Sequence, residues 1–211
     1  MVAKAATSSI TTHLNHKKEG LEMLGIVLAG GQSQRFGQDK ARYQLANQPL
    51  NNVGLAVAKL QLLCEHVIVS ANANNFSALA AQFASDQHVT VTRDQAPFVQ
   101  QGPLSGIYAA TCLSPELTDY LLLAVDYPLM TTTILTTLTT APNCYAATPT
   151  RDHYLVSHFQ TSQAIVRDDL LLGDLRVSHF MTATCQAVPI TFPASRALIN
   201  LNKLEALTDV N

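Results

Sequence analysis

A glycine-rich, basic loop is the first part of the sequence whose residue types could do chemistry. It reads LAGGQSQRFGQDKA, occupies residues 28–41 and directly follows an apolar run. Gly30 and Gly31 have no side chains, so the backbone amides there can approach a phosphate closely. Arg35 and Lys40 add positive charge to match a triphosphate. The alternative is a glycine turn followed by solvated basic residues, but glycines and cations together in one loop favour phosphate binding.

The spacing within this loop separates it from two common phosphate-binding patterns. Gly31 and Gly37 are six residues apart, and Gly37 is followed by Gln rather than by Lys and Ser or Thr. The loop is therefore not a Walker A motif. It also lacks the spacing GxGxxG, which disfavours a Rossmann dinucleotide site. A different class of nucleotide site is predicted.

An acidic residue follows a very apolar segment further along the chain. Asp126 comes directly after YLLLAV at 120–125. A carboxylate oxygen is a hard ligand of the kind that Mg²⁺ prefers, and the ion would separate this carboxylate from a negatively charged triphosphate. Asp126 also precedes Tyr and Pro, so it could instead cap a turn. Both interpretations stay open at this point.

Alternating apolar runs and helical segments must position these residues. Strands are predicted at 24–29, 66–71, 88–92, 120–125, 144–150, 154–159 and 187–192, and helices at 50–63, 75–84, 104–113, 131–139, 162–181 (one or two) and 200–208. This alternation predicts the α/β class, a three-layer, Rossmann-like open sheet that is mostly parallel with helices on both faces. Ligands bind such sheets beyond the carboxyl ends of the strands, where the glycine loop and Asp126 are expected.

Composition limits the classes of partner. The chain has 211 residues, 47% of them hydrophobic and 13% charged, which indicates a folded protein. The net charge is −2 with no long basic run, which argues against a nucleic-acid partner. The apolar runs are too short to span a membrane, so no membrane partner is expected. Four dispersed cysteines without a CxxC pattern indicate reduced thiols in a cytoplasmic protein.

The N-terminal segment differs from the rest of the chain. Residues 1–22 are polar and rich in Ser and Thr, without the continuous apolar stretch of a secretory signal. We predict a flexible tail over 1–22. No repeat, linker or low-complexity segment divides residues 23–211, which are expected to form a single domain.

A series of motifs along residues 24–208 resembles the molybdenum cofactor guanylyltransferases of the MobA type, which are nucleotidyltransferases. The glycine-rich loop resembles the signature loop of that family. The other similar segments follow in the family's order: SANAN (70–74), TRDQ (92–95), GPLSGI (102–107), VDYPLM (125–130), DLRV (174–177) and INLNKLEAL (199–207).

The resemblance implies transfer of GMP from GTP to the phosphate of the molybdopterin cofactor, with release of pyrophosphate and with Mg²⁺ as the metal. The residues implied to bind GTP are Leu28, Ala29, Gly30, Gly31, Lys40, Ser70, Asp94 and Asp126. The residues implied to act in catalysis are Arg35, Lys40 and Asp126, and Asp126 is also the implied metal ligand. GTP and the molybdopterin cofactor are the implied substrates, with cofactor-delivery and acceptor proteins as further partners.

Some of these residues also have a structural interpretation. Asp94 could be a turn residue and Ser70 could simply fit a strand end. His153 and His158 are interpreted as structural or surface residues. His179 stays open as a contact for the acceptor phosphate.

The sequence departs from the family pattern mainly near the expected acceptor side. Tyr154 follows His153 where His-Pro is common, and Lys203 stands where Thr-Pro is expected. Ser70 stands where the family often has Asn, and a hydroxyl cannot reproduce the paired contacts of an amide. These differences bear on the acceptor more than on the nucleotide.

Two rival functions remain. One is a related CTP-dependent nucleotidyltransferase acting on molybdopterin or on a sugar or polyol phosphate. The other is a non-catalytic nucleotide-binding protein. The Ala-Gly-Gly sequence at 29–31 favours the guanylyl type, and the presence of Lys40 and Asp126 favours an enzyme.

Overall fold

The computed structural model describes residues 23–31 and 37–201, which form seven strands and a set of short helices. The strands are β1 (Met23–Leu28), β2 (His66–Ala71), β3 (Val89–Arg93), β4 (Thr118–Ala124), β5 (Cys144–Thr148), β6 (Arg151–Thr161) and β7 (Val188–Thr191). The α-helices are α1 (Asn52–Leu60), α2 (Phe76–Gln82), α3 (Pro103–Thr111), α4 (Thr132–Leu138), α5 (Gln163–Leu171) and α6 (Val177–His179). A π-helical turn (Phe180–Thr184) follows α6, and a 3₁₀ turn (Arg196–Leu198) follows β7. Arg35 and the predicted tail 1–22 lie outside the described residues.

The strands form one seven-stranded sheet in the order β3-β2-β1-β4-β6-β5-β7. The strands β3, β2, β1 and β4 are parallel neighbours. Strand β6 runs antiparallel to both β4 and β5, whereas β5 and β7 are parallel. The predicted open, mostly parallel sheet is confirmed, with β6 as its reversed strand.

Helices pack on both faces of the sheet. A Cβ on Gly25 would lie 3.1 Å from Leu60 of α1, whereas a Cβ on Gly106 of α3 would lie 2.8 Å from Leu28. Residues 25 and 28 of one strand point to opposite faces, because successive strand side chains alternate. Helices α1 and α3 therefore cover opposite faces of β1, which gives the predicted three layers.

The central strands are buried on both faces. Tyr120, Leu121, Leu122 and Leu123 of β4 are all 0% exposed. A parallel strand covered by helices on both sides has apolar residues on both faces. This is why YLLLAV shows no alternation of apolar and polar residues. Each such leucine contributes about 2 kcal/mol through burial. The strand that carries Asp126 is thus held firmly in the core.

Most predicted elements are observed within a few residues of their expected ends. Helix α4 forms despite its threonines, and one of them, Thr131, caps its N-terminus by accepting from Ile134 N at 3.4 Å. Strand β6 is longer than the predicted 154–159, since it pairs with β4 along one edge and with β5 along the other. The predicted helical segment 162–181 is divided into α5, α6 and the π-helical turn, and Gly173, with φ of 84°, lies between α5 and α6. The predicted helix 200–208 lies outside the described residues except for 200 and 201, which are not helical.

All four cysteines are free thiols, and Cys64, Cys144 and Cys185 are buried. Burial raises the pKa of Cys64 to about 12, so this thiol stays protonated and behaves as a small apolar side chain. In the part of the chain that the structure describes, no helix is long and apolar enough to cross a membrane.

Candidate active site

The structure brings the ends of β1, β2, β3 and β4 to one edge of the sheet. Leu28, the last residue of β1, pairs with Ser70 on one side and with Ala124 on the other. The pairing continues beyond the strands, because Ala29 N donates to the Ser70 carbonyl at 2.8 Å and Val125 N donates to the Leu28 carbonyl at 3.1 Å. The start of the glycine loop and the residues before Asp126 are therefore neighbours at the carboxyl edge.

Two asparagines hold the backbone of the glycine loop. Asn75 Nδ2 donates to the Ala29 carbonyl at 3.0 Å. Asn72 Nδ2 lies 3.2 Å from the Gly30 carbonyl and 3.3 Å from the Gly31 carbonyl. Asn72 and Asn75 also accept from each other's backbone amides, at 3.0 and 2.9 Å, which fixes both side chains. The segment after β2 thus holds the backbone at the start of the loop, residues 29–31.

Neither Gly30 nor Gly31 is required by the fold around it. A Cβ on Gly30 would make only an ordinary contact, at 3.5 Å, with the backbone after β2. Among residues 23–31 and 37–201, a Cβ on Gly31 would meet nothing within 4 Å, and neither Gly30 nor Gly31 has the positive φ that favours glycine. Gly37, in contrast, has a φ of 73°. The space beside Gly30 and Gly31 is consistent with the predicted close approach of a phosphate.

Lys40 lies on a turn that is tied to two helices. Asp39 Oδ1 accepts from Ala41 N at 3.0 Å and lies 3.4 Å from Asn75 Nδ2. The Lys40 carbonyl accepts from Nδ2 of Asn52, the first residue of α1, at 2.9 Å. The backbone of Lys40 is therefore anchored to α1. The neighbouring Asp39 side chain contacts Asn75, which also holds the Ala29 carbonyl, so Asn75 links the two predicted phosphate-binding parts.

Asp126 follows β4 and is partly buried. Its Oδ2 accepts from Asn200 Nδ2 at 2.9 Å, and its carbonyl accepts from Leu201 N at 2.8 Å. The turn after β4 is closed by the backbone, since Tyr127 N donates to the Ala124 carbonyl at 3.2 Å. Within the described ranges the Asp126 carboxylate accepts no backbone amide of that turn. The geometry therefore does not support the turn-cap interpretation.

A magnesium ion at Asp126 would have to be held by a single carboxylate of the described residues. Residues 23–31 and 37–201 contain no cluster of three or more His, Cys, Asp or Glu side chains that could enclose a metal. Mg²⁺ is commonly held by one or two carboxylates, with substrate phosphates and waters completing its six ligands. Because Oδ2 of Asp126 is occupied by Asn200, Oδ1 is the oxygen that suits a cation.

Ser70 and Asp94 lie at the ends of β2 and β3, but both have structural partners. Ser70 is 2% exposed, and its Oγ would lie 2.5 Å from a Cβ on Gly106 of α3. Its side chain is therefore packed beneath α3. Asp94 Oδ2 accepts from Gln100 N at 2.8 Å and closes the loop that leads to α3. Gln101 N then donates to Ser105 Oγ at 2.8 Å, which joins that loop to the first turn of α3.

The histidines differ in their surroundings. His158 lies near the other end of the sheet, where its Nδ1 donates to the Ala141 carbonyl at 2.7 Å. His153 is 3% exposed, and burial lowers its pKa below the ordinary value. His179 Nδ1 lies 3.9 Å from the carboxylate of Asp174. Hydrogen bonds from Arg176 hold the pKa of the Asp174 carboxyl below its usual range. Arg176, the cation of the DLRV motif, is therefore paired with Asp174.

The sequence places the chain in a known family. A model described as the MobA-like NTP transferase domain matches residues 25–188. The chain belongs to this family. It is accordingly a nucleotidyltransferase, and the match extends from β1 to the first residue of β7.

Curated relatives of this family cover most of the chain. A Mycobacterium avium protein named "Probable molybdenum cofactor guanylyltransferase" is 30% identical over 190 residues, which cover 87% of this chain and 92% of the relative. The molybdenum cofactor guanylyltransferase of Xanthomonas euvesicatoria is 28% identical and covers 86% of this chain and 90% of its own length.

Solved structures share the fold at lower identity. A nucleotidyl transferase from Methanothermobacter thermautotroptrophicus is 16% identical, with a TM-score of 0.66 over 90% of this chain and 96% of its own. The 4-diphosphocytidyl-2C-methyl-D-erythritol synthase of Anaerococcus prevotii is 9% identical, with a TM-score of 0.62 over 90% of this chain and 95% of its own. These two similarities establish the fold alone.

For several residues of this nucleotidyltransferase site, the sequence alone predicts no role. Asn72 and Asn75 belong to the quoted SANAN segment, yet their support of the glycine loop follows only from the structure. Asn200 belongs to the quoted INLN segment, but its bond to Asp126 joins residues 74 positions apart. The density of asparagines after β2 was the one local signal available for this group.

Proposed function

We propose that this nucleotidyltransferase transfers GMP from GTP to the phosphate of the molybdopterin cofactor. An oxygen of the acceptor phosphate forms a bond to the α-phosphorus of GTP, the bond to the β-phosphate oxygen breaks, and pyrophosphate leaves. The observation that carries the proposal is the carboxyl edge of the sheet, where the asparagine-supported glycine loop and the Asp126–Asn200 pair follow neighbouring strands. The curated relatives named molybdenum cofactor guanylyltransferase support the choice of nucleotide and acceptor.

The glycine loop binds the nucleotide in this proposal. Leu28, Ala29, Gly30 and Gly31 contribute their backbone, and the two glycines leave room for the phosphates. Asn72 and Asn75 keep that backbone in place by occupying the loop carbonyls. Preorganised donors lose little entropy when the ligand arrives, which strengthens binding.

Charge neutralisation is the main task of the remaining residues. Transfer of a phosphoryl-type group needs positioning and electrostatic stabilisation rather than a protein nucleophile. Lys40, anchored through its backbone to α1, offsets the negative charge that grows on the departing pyrophosphate. Arg35 belongs to the same loop and is proposed to share this task.

Asp126 is proposed to hold Mg²⁺ through Oδ1, while Asn200 holds Oδ2. A bound Mg²⁺ would neutralise phosphate charge and separate it from the carboxylate. Ser70 and Asp94 are proposed to shape the guanosine side of the site through the packing of α3 and through the loop before it. We also propose that the protein is cytoplasmic and that its partners include cofactor-delivery and acceptor proteins.

The test is a turnover assay with a defined acceptor. Purified protein is incubated with molybdopterin, Mg²⁺ and either GTP or CTP, and pyrophosphate release and the dinucleotide product are both measured. We expect the guanine dinucleotide and a preference for GTP of at least about tenfold, which corresponds to about 1.4 kcal/mol. Equal use of CTP, or cytosine product alone, would assign the chain to the cytidylyl relatives. Binding of GTP without any release of pyrophosphate would favour the non-catalytic alternative.

A further inference from the structure

Lys59 is a half-buried lysine in the last turn of α1, and it has no role in the proposed function. Its Nζ donates to the Pro128 carbonyl at 2.6 Å, a contact between residues 69 positions apart. Pro128 is buried and lies two residues after Asp126. A lysine on a helix surface usually extends its ammonium group into water. Lys59 instead directs it at the turn that carries the proposed metal ligand.

The Lys59 contact joins this turn to another element of the fold. The turn itself is closed locally, by the bond from Tyr127 N to the Ala124 carbonyl. Such a bond fixes the shape of the turn but not its position relative to α1. On the other side, the Asp126 carbonyl accepts from Leu201 N at 2.8 Å. Contacts from two distant segments therefore hold the backbone around Asp126.

The first turn of α1 holds the other residue that the proposed function places at the phosphates. Asn52 Nδ2 donates to the Lys40 carbonyl at 2.9 Å. The backbone amide of Val53 also donates to the Ala41 carbonyl at 2.9 Å. One helix of nine residues therefore contacts the Lys40 turn at its start and the turn after Asp126 at its end.

The body of α1 is fixed against the sheet. Val53 and Leu60 are 0% exposed, and Val57 is 2% exposed. A Cβ on Gly25 would lie 3.1 Å from Leu60, so β1 and α1 approach each other closely. A packed helix keeps its length, because its rise per residue is set by its backbone hydrogen bonds. The two ends of α1 therefore stay at a constant distance from each other.

We propose that α1 fixes the position of Asp126 relative to Lys40, and that Lys59 is the positioning residue at the C-terminal end of this helix. The bond to the Pro128 carbonyl holds the turn after β4 against α1, whose other end holds the Lys40 turn. A buried carbonyl that loses its donor is unfavourable, so without Lys59 the turn would shift toward water and move Asp126 with it. The inference rests on the proposed function for the roles of Lys40 and Asp126.

The main test is Lys59→Met, which removes the ammonium group and keeps a long apolar side chain. We expect kcat to fall about tenfold and the half-saturating Mg²⁺ concentration to rise by a similar factor, since a small displacement of a reacting group can cost about a hundredfold. The KM for GTP should change less than about twofold, because the contacts of the glycine loop and of Lys40 are kept. Binding of Mn²⁺ to the GTP complex, followed by electron paramagnetic resonance, should weaken about tenfold, and this measurement does not depend on turnover.

The matched control is Gln61→Met, at the same end of α1. Gln61 Nε2 donates to Asp86 Oδ2 at 2.8 Å, in the segment between α2 and β3. This variant removes a similar donor from the end of the helix but leaves the Pro128 carbonyl bonded. It should leave kcat and Mn²⁺ affinity unchanged. Equal losses of Mn²⁺ affinity in the two variants would overturn the proposal, because both would then reflect the stability of α1 alone.

Hydrogen exchange provides a second test that needs neither metal nor acceptor. In Lys59→Met the amides within residues 127–130 should exchange about tenfold faster than in the wild-type protein, because the turn opens more often once its bond to α1 is lost. In Gln61→Met the exchange of these amides should be unchanged. Exchange at the wild-type rate in Lys59→Met would show that the contact does not hold the turn, and would overturn the proposal.

A double variant separates this inference from the proposed function. Lys59→Met should slow Asp126→Asn no further, because Lys59 acts through the Asp126 carboxylate. Independent, multiplying effects would overturn the positioning role. A normal rate for Asp126→Asn would overturn the assignment of Asp126 and the inference with it, whereas an impaired Asp126→Asn beside a normal Lys59→Met would overturn the positioning role alone.

Discussion

Asp126→Asn should impair this nucleotidyltransferase through the number of oxygens that the side chain presents. The carboxylate has two oxygens: Oδ2 accepts from Asn200, and Oδ1 is proposed to bind the cation. An amide has one oxygen and one NH₂ group. With its oxygen turned to Asn200, the amide would direct NH₂ at the cation; with its oxygen turned to the cation, it would place NH₂ against Asn200 Nδ2. Either orientation loses one of the two contacts.

The expected magnitude follows from that loss and from the missing charge. Removal of a strong electrostatic contact to the reacting groups costs about 2.7 kcal/mol or more, which corresponds to about a hundredfold in turnover. The half-saturating Mg²⁺ concentration should rise as well. Because Asp126 is partly exposed and the turn after β4 is closed by backbone hydrogen bonds, the fold should be retained.

The assay measures pyrophosphate release from GTP and the acceptor over a range of Mg²⁺ concentrations. Asp168→Asn is the control, because it also removes one negative charge, but from an exposed carboxylate that is paired with Arg167. Lys40→Ala should lower turnover without a comparable shift in the Mg²⁺ requirement, since Lys40 acts on the phosphates. A wild-type rate for Asp126→Asn at limiting Mg²⁺ would refute the metal-ligand role.

Three further predictions concern the glycines, Lys59 and the N-terminal segment. Gly31→Ala should keep the melting temperature, since a Cβ there meets no atom of the described residues within 4 Å. It should weaken GTP binding about tenfold by keeping phosphate from the backbone, and calorimetry and thermal melts separate the two effects. Lys59 Nζ donates to the Pro128 carbonyl at 2.6 Å, and burial lowers its pKa from 10.5 to about 8. The unfolded chain therefore binds more protons than the folded one between those values, so the free energy of unfolding should rise with pH from about 8 to 10.5 relative to Lys59→Met, as urea titrations can show. A chain that starts at Met23 should retain its melting temperature and GTP affinity, and a loss of several degrees would contradict the prediction of a dispensable tail.

The sequence predicts the sheet well because its central strands leave little choice. A strand such as YLLLAV is apolar on both faces, so both faces must be buried. The helices between such strands connect them as parallel neighbours. The ends of β1 and β4 were therefore expected at one edge, and the structure places them there. The boundaries were less predictable: β6 gained three residues at its start and two at its end because two neighbours pair with it.

The support of the site was beyond prediction because it depends on contacts between distant residues. Asn200 and Asp126 are 74 positions apart, and Tyr127 and His153 are 26 apart. The periodicity of the sequence does not indicate which amide will contact which carboxylate, because such pairs form only after the strands are in register. Ser70 illustrates the same limit, since its burial beneath α3 follows from Gly106, a helix residue 36 positions later. The sequence does not distinguish a hydroxyl at a strand end that faces a ligand from one that faces a helix.

The glycines of this chain show how fold and function can be separated in such a site. Gly106 is demanded by packing, because a Cβ would lie 2.5 Å from Ser70 Oγ and 2.8 Å from Leu28, and Gly102 is demanded by its φ of 79°. Gly30 and Gly31 satisfy neither condition, since a Cβ on either would meet no atom of the described residues closer than 3.5 Å and neither has a positive φ. Glycine costs about 0.5–1 kcal/mol of conformational entropy relative to alanine, so a pair that the fold does not need is destabilising. This cost is offset when a ligand binds close to the backbone, where a side chain would block it. At the carboxyl edge of this sheet the proposed ligand is the phosphate chain of GTP.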